Sequence, residues 1–189
     1  MQVQQLSIKL FAAEPDKVAL EAFPPIFHRW IQETRIPHQL LIDVADYRHV
    51  PDGPGIVLIA HQAHYAIDGE RGPLGLLYSV KRDAPGPLDA KLAEAFADAV
   101  AAARGLEEDP ARPIRFRADR LRVTVMSRRL APNEPETFAS AGPVLEAFAA
   151  RLYPGRVPHL EHLADPREPF TVQISVEGAT TLADLGAVG

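Results

Sequence analysis

Two groups of side chains in this 189-residue sequence could carry out chemistry, and the first combines imidazoles, carboxylates and a phenol. It consists of Asp46, Tyr47, His49, His61, His64 and Asp68. Imidazole beside carboxylate suits a general acid–base pair near neutral pH, and the same groups are ligands for zinc, iron or manganese. If the strands that flank these residues pair, the six side chains could converge. That arrangement would predict a metal-dependent or acid–base enzyme.

The spacing of the histidines argues against a metal site. His61 and His64 are three residues apart, as are His159 and His162, and residues at that spacing point to opposite faces of a strand. The sequence contains no H-E-x-x-H or other ligand motif with a defined geometry. We therefore assign neither metal ligands nor catalytic residues from the sequence, and the cofactor stays open. The alternative is that these polar groups are loop and hairpin residues that bind the backbone or solvent.

The second group is a run of seven arginines between residues 112 and 129, in which Asp119 is the one acid. Its members are Arg112, Arg115, Arg117, Arg120, Arg122, Arg128 and Arg129. We expect Arg115, Arg117 and Arg122 to share the polar face of a β-hairpin. Such a planar guanidinium array suits phosphate or carboxylate, which favours an anionic protein or small molecule as partner. Alternatively the face is exposed to solvent, or its arginines pair with acids such as Glu107.

Nucleic acid is a less favoured partner for these arginines. A protein that reads single strands would need exposed aromatic side chains on the same face, and Phe116 falls on the opposite, apolar face. The net charge of −5 also argues against a protein that binds nucleic acid with its whole surface. Nucleic-acid binding through residues 112–129 is therefore kept only as an alternative.

Composition excludes several classes of chemistry. The chain has no cysteine, which rules out disulfides, thiolate nucleophiles and cysteine-bound iron–sulfur clusters. No G-x-G-x-x-G follows a predicted strand, and neither a P-loop nor a G-x-S-x-G elbow occurs. The sequence has no recognisable signal peptide and no apolar run of the roughly 20 residues that span a membrane. We therefore expect a cytoplasmic protein without a membrane partner.

The elements that must position these residues indicate an α+β fold. The apolar run at residues 56–60 predicts a central strand that is buried on both faces. Apolar residues also recur at helical spacing between residues 88 and 103, with Gly105 as the expected end of that helix. This apolar stripe consists of Leu88, Leu92, Phe96, Val100 and Ala103. Alternating apolar residues at 114–118 and 121–125 predict the arginine-bearing hairpin.

From residue 74 onward, the predicted order is strand, helix, strand, strand, helix, strand. That is the βαββαβ order of ferredoxin-like folds. We expect one α+β domain over residues 1–189, with a mostly antiparallel sheet and helices packed on one face. Possible halves are residues 1–73 and 74–178, followed by a short C-terminal tail at 179–189.

Three stretches, at residues 27–32, 41–47 and 50–55, read FHRWIQ, LIDVADY and VPDGPG. With these stretches, the chain resembles an uncharacterised family of small bacterial proteins over most of its length. The resemblance implies a compact cytoplasmic bacterial protein. It implies no particular activity, cofactor or catalytic residue.

The lack of catalytic motifs, together with one sharply charged sheet face, favours a small cytoplasmic protein without an enzymatic activity of its own. We expect a binding or accessory module that self-associates as a homo-oligomer, because exposed sheet edges readily pair between subunits. The acid–base or metal-dependent enzyme is the first alternative. Anion or nucleic-acid binding through the arginines is the second.

Overall fold

A computed structural model describes residues 1–70, 72–81, 85–111, 113–178 and 180–186. These residues form an α+β structure, which confirms the predicted fold class. The strands are β1 (Gln2–Val3), β2 (Leu6–Ala12), β3 (Leu41–Asp46), β4 (Ile56–Ala60), β5 (Ala63–Asp68), β6 (Gly75–Val80), β7 (Gly86–Pro87), β8 (Phe116–Val125), β9 (His159–His162) and β10 (Phe170–Ser175). The helices are α1 (Phe23–Gln32), α2 (Leu88–Glu108) and α3 (Pro135–Leu152). In this described part of the chain, no helix is long and apolar enough to cross a membrane.

Eight strands form one antiparallel sheet in the order β3-β4-β5-β6-β2-β8-β10-β9, and β1 pairs with β7 in a small second sheet. Strand β2 comes from the first half of the chain but lies between β6 and β8 of the second half. The two halves considered from the sequence therefore share one sheet. Strands β3 and β9 are its edges.

The two faces of the sheet differ because side chains alternate along each strand. On β2, Leu6, Ile8 and Leu10 join the hydrophobic core, together with buried residues of all three helices. Helix α2 contacts β2 and β6, and α1 contacts β3 and β4. The other face carries Ser7 and Lys9 of β2 and their neighbours across the sheet. We call it the helix-free face.

The apolar stripe between residues 88 and 103 is confirmed as the buried side of α2. The helix continues beyond Gly105 to Glu108, so the expected end at Gly105 is wrong. A Cβ atom at Gly105 would lie 3.2 Å from the indole ring of Trp30. The absence of a side chain at this position thus permits close packing of α2 against α1.

The predicted arginine hairpin is a single strand, β8. The apolar residues of β8 are at even positions up to Ala118 and at odd positions from Leu121 onward. The pairing of β8 with β2 shifts register between Leu10 and Ala12, which accounts for this change. Here β8 has extra residues relative to β2, and they are accommodated, as in a β-bulge, without a reversal of the chain. The ferredoxin-like βαββαβ order of the second half is consequently not confirmed. Arg112, the first arginine of the run, lies outside the described residues.

Candidate functional site

The first predicted site does not assemble. Tyr47 and His49 lie in the loop that leads from β3 into β4, whereas His61 follows the end of β4. The length of β4 separates these two places by about 16 Å at the usual rise per residue. The two stretches, whose convergence the sequence left open, therefore lie apart. Among the described residues, no group of three His, Asp or Glu side chains is placed to hold a metal ion.

The residues of the β3–β4 loop make local contacts instead. The guanidinium of Arg48 donates hydrogen bonds to both carboxylate oxygens of Asp46, at 2.9 Å from Nε and 2.5 Å from Nη2. These bonds lower the pKa of Asp46 to about 2. The amide of Tyr47 donates to the carbonyl of Gly55, whose φ of +66° favours glycine. Closed in this way, the loop presents Tyr47 and His49 at the surface.

The polar residues of the β4–β5 hairpin also lie apart. His61 is exposed in the turn, while His64 and Asp68 lie about 13 Å apart along the helix-free face of β5. Burial, with a smaller effect from Lys81, lowers the pKa of His64. Asp68 is buried and accepts a hydrogen bond from Nζ of Lys9 at 2.5 Å. Asp68 therefore belongs to a buried ion pair, not to a histidine site.

The three arginines predicted to bind an anion together occupy different settings. The guanidinium of Arg117 donates two hydrogen bonds to Asp119, at 2.7 and 2.6 Å. Arg115 lies 4.0 Å from Glu107, the acid considered as its alternative partner. Arg122 lines a cavity on the helix-free face. Of the three arginines, Arg122 alone lines this cavity, so the predicted array does not form.

The histidines of β9 point to opposite faces of the sheet, as their spacing predicted. His162 makes a 2.7 Å hydrogen bond to Oδ1 of Asn133, and its ring stacks on Phe138 with 5.1 Å between ring centroids. Burial lowers the pKa of His162. His159 is exposed at the sheet edge. These contacts give His162 a structural role.

The structure gathers polar groups around Asp98, a residue of α2 that the sequence did not single out. The carboxylate accepts a hydrogen bond from the Tyr78 hydroxyl at 2.8 Å and makes a 2.7 Å hydrogen bond to Nε2 of His38. Nε2 of Gln39 makes a longer contact of 3.5 Å. We call these four residues the Asp98 cluster. Its members come from α2, from β6 and from the segment between α1 and β3.

Helical and strand geometry explain why Asp98 and Tyr78 meet. Asp98 lies three residues after Ala95 and four before Ala102, both of which are buried, so it is at the border of the buried face of α2. Tyr78 points from β6 towards α2 because it alternates with residues that face the other side. The sequence signal for this site was one acid beside an apolar stripe. That signal does not identify the partners of the acid.

The Asp98 cluster lines a cavity of about 430 Å³, a volume within the range of small-ligand sites. Lys91 and Glu94 contribute one charge of each sign to its wall, and Gln62 contributes an amide. Val3 and Leu6 form part of an apolar wall. The lining is therefore mixed, with polar groups that converge on one side.

The hydrogen bond between His38 and Asp98 fixes the state of the imidazole. A carboxylate can only accept, so Nε2 of His38 must carry a proton. In the neutral ring the lone pair is then on Nδ1, which can take up a proton. The Tyr78 hydroxyl holds the other carboxylate oxygen and so fixes the orientation of Asp98. An imidazole oriented in this way can act as a general base or a general acid.

Two further buried polar atoms lie in or near the cluster. No described residue donates a hydrogen bond to Oε1 of Gln39, and none pairs with the hydroxyl of Tyr65. The ring of Tyr65 lies 5.1 Å from that of Tyr78. Burial, reinforced by the charge of Asp98, raises the pKa of Tyr65 and keeps the phenol protonated. Buried polar atoms of this kind are usually satisfied by ordered water or by a ligand.

Comparison with known proteins adds no family or function. No family model matches the chain, and neither the curated proteins nor the solved structures give a match. The resemblance to an uncharacterised bacterial family therefore stays a prediction. Any function must be argued from the geometry of the sites themselves.

Proposed function

We propose that this protein binds a small polar molecule in the cavity beside the Asp98 cluster and that His38 transfers a proton to or from it. The observation that supports this proposal is the hydrogen-bonded chain from Tyr78 through Asp98 to His38, with distances of 2.8 and 2.7 Å, at the wall of a cavity of about 430 Å³. A histidine oriented by a carboxylate at the wall of a cavity is the arrangement that general acid–base catalysis uses.

Each residue of the site has a distinct role in this proposal. Asp98 holds the Nε2–H form of His38 and stabilises the imidazolium that forms when Nδ1 takes up a proton. Tyr78 positions the Asp98 carboxylate. Lys91 and Glu94 place charges of both signs on the cavity wall, which favours a ligand that is polar without a large net charge.

The binding part of the proposal is tested by a ligand screen with mapping. A panel of small polar metabolites is screened by thermal shift, and the molecules that stabilise the protein are mapped by NMR on ¹⁵N-labelled protein. We expect bound molecules to shift the side-chain amide resonances of Gln39 and Gln62. Asp98→Asn and His38→Gln should weaken this binding, whereas His28→Gln, which changes an exposed histidine of α1, should leave it intact. Molecules that bind all of these variants equally would contradict the assigned cavity.

The proton-transfer part is tested by isotope exchange. A molecule that binds is incubated with the protein in D₂O, and deuterium incorporation at its carbon-bound positions is measured by NMR. We expect exchange with wild-type protein, loss of exchange in His38→Gln, and unchanged exchange in His28→Gln. Binding without exchange or conversion would refute proton transfer. It would instead support the non-enzymatic binding module expected from the sequence.

We also propose that the protein self-associates through the edge strand β3. Four large apolar side chains are exposed on or beside this strand: Leu40, Ile42, Tyr47 and Val50. On its outer side β3 pairs with no other described strand, and an exposed apolar edge is a template for pairing with a second copy. Light scattering should detect a dimer that Ile42→Lys dissociates and that Val157→Lys, a change at an exposed position near the opposite edge, preserves. A monomeric wild-type protein would refute this part.

A further inference from the structure

A second cavity lies on the helix-free face, on the other side of the sheet from the Asp98 cluster. It has a volume of about 190 Å³ and is lined by residues of β2, β5, β6 and β8. The strand register places Lys9 beside Arg122, and places Ser7 between Ser79 and Thr124. We call this space the Lys9 cavity. Its wall carries two cations, two carboxylates and a row of three hydroxyl groups.

Lys9 is the residue that points to a ligand. Its side chain is 4% exposed, as is that of Asp68, and Nζ donates to Oδ2 of Asp68 at 2.5 Å. An ammonium group has three N–H donors, and in the described part of the chain Asp68 supplies the only acceptor within hydrogen-bond distance of Nζ. The other carboxylate oxygen of Asp68 accepts from the amide of Glu70 at 3.1 Å. A buried ammonium with unused donors at the wall of a cavity favours a ligand rich in acceptors.

Two carboxylates balance the two cations of the wall, so recognition of a ligand depends on the N–H donors of these cations. Asp68 neutralises Lys9, and Arg122 and Glu70 add one further charge of each sign to the same wall. Burial lowers the pKa of Arg122, while the carboxylates of Asp68 and Glu161 act in the opposite direction. Desolvation thus has a larger effect on the pKa of Arg122 than these two acids have. The guanidinium carbon of Arg122 lies 5.5 Å from the ring centroid of Phe11. An oxyanion placed against this guanidinium would compensate the desolvation through charge-assisted hydrogen bonds.

We propose that the Lys9 cavity binds a small oxyanion, a carboxylate or a phosphate, between Lys9 and Arg122. The hydroxyl group of Ser79 is a further donor in this site, whereas those of Ser7 and Thr124 bond to Met126 and Thr171. The cavity is large enough for such a group, and an adjoining cavity of about 440 Å³ shares Arg122 and Thr124 with it. A larger ligand would place its anionic end in the Lys9 cavity and the remainder in the adjoining space. This proposal is independent of the one made for the Asp98 cluster.

Inorganic phosphate and acetate are the probes for this site. Each is titrated into ¹⁵N-labelled protein at constant ionic strength, with sodium chloride as the balancing salt. We expect saturable shifts of the Arg122 side-chain resonance and of the amides of Ser7 and Thr124. The probe that saturates at the lower concentration identifies the ligand class as phosphate or carboxylate. Absence of a saturable shift with both probes would overturn the proposal.

Three variants separate a built site from general charge attraction. Arg122→Gln removes the guanidinium, and Ser79→Ala removes the hydroxyl group that Ser79 contributes to the cavity. Loss of a hydrogen bond to a charged ligand should weaken binding by roughly tenfold or more. Arg117→Gln is the matched control, because that arginine is held by Asp119 and does not line the cavity. Equal weakening in all three variants would refute the site. If Arg122→Gln lacks a folded NMR spectrum, the comparison of Ser79→Ala with Arg117→Gln decides.

Discussion

Lys9→Met should be strongly destabilising, because it would leave the Asp68 carboxylate buried without its cation. Both side chains of the pair are 4% exposed. After the substitution, the carboxylate would keep one described hydrogen bond, from the Glu70 amide at 3.1 Å. Removal of one partner from a buried pair costs about 3–5 kcal/mol. Since a domain of this kind is stable by only about 5–15 kcal/mol, the change should be a large fraction of the free energy of unfolding.

The double variant Lys9→Met/Asp68→Val should recover most of this loss. It removes both charges, so neither desolvation penalty remains, and apolar replacements of buried pairs are often neutral or stabilising. Valine also suits a strand position. The hydrogen bond from the amide of Glu70 is lost, but Glu70 is exposed, so water can replace the carboxylate there. We expect a double variant within about 2 kcal/mol of wild type and a coupling energy of at least about 2 kcal/mol.

Urea unfolding followed by the fluorescence of Trp30 provides the measurement. Trp30 is the only tryptophan and is buried in the core, so its emission reports global unfolding. Lys17→Met is the matched control, because Lys17 and Glu14 form an ion pair whose side chains are 75% and 58% exposed. Surface pairs of this kind contribute little. The reasoning fails if Lys9→Met costs no more than Lys17→Met, or if the double variant equals the sum of its singles at an unchanged m-value.

Three other predictions concern single protonation states. Asp98→Asn should release His38 from its Nε2–H tautomer, since an amide can donate as well as accept; ring ¹⁵N shifts of the neutral protein that still report Nε2–H alone would contradict the role of Asp98. Arg117 holds the pKa of Asp119 below its usual value, so this carboxylate stabilises the fold above about pH 3.9 and loses that contribution as the pH falls through its folded-state pKa. Asp119→Asn should therefore destabilise at neutral pH and approach wild type in acid, as measured by urea unfolding across pH. Burial lowers the pKa of His162, so the unfolded chain takes up that proton first and the free energy of unfolding should fall below about pH 6.5. His162→Gln should make this fall shallower, and equal slopes in the two proteins would refute the argument.

The elements that local periodicity defines could be predicted from the sequence. The apolar stripe of α2 and the apolar strand β4 both formed, because each depends only on residues close together in the chain. The expected central position of β4 is wrong, because β4 lies next to the edge strand β3. Alternation also places Lys9 on the polar face of its strand. Its burial could not be predicted, because it depends on β2 lying between β6 and β8 in the middle of the sheet.

Two failures of prediction have definite physical causes. In β8, a change in the parity of the apolar positions is compatible with a turn or with a β-bulge, and only the pairing with β2 and β10 decides between them. The Asp98 cluster depends on residues 38, 78 and 98, which lie far apart in the sequence and meet through packing of α2 on β6. The spacing of nearby residues therefore predicts neither the single strand β8 nor the Asp98 cluster.

The alternation of side chains along β6 and β2 places the two cavities on opposite faces of the sheet. Tyr78 of β6 faces the helices and belongs to the Asp98 cluster, while Leu77 and Ser79 face the other side and line the Lys9 cavity. On β2, Leu6 lines the cavity beside the Asp98 cluster and Ser7 lines the Lys9 cavity. The two cavities therefore share strands but no lining residue, and an effect of one ligand on the other would have to pass through the backbone. Both strands are hydrogen-bonded to a neighbour on each side, which resists such a displacement. The two sites should thus bind independently, so the failure of either proposal would leave the other to be tested on its own.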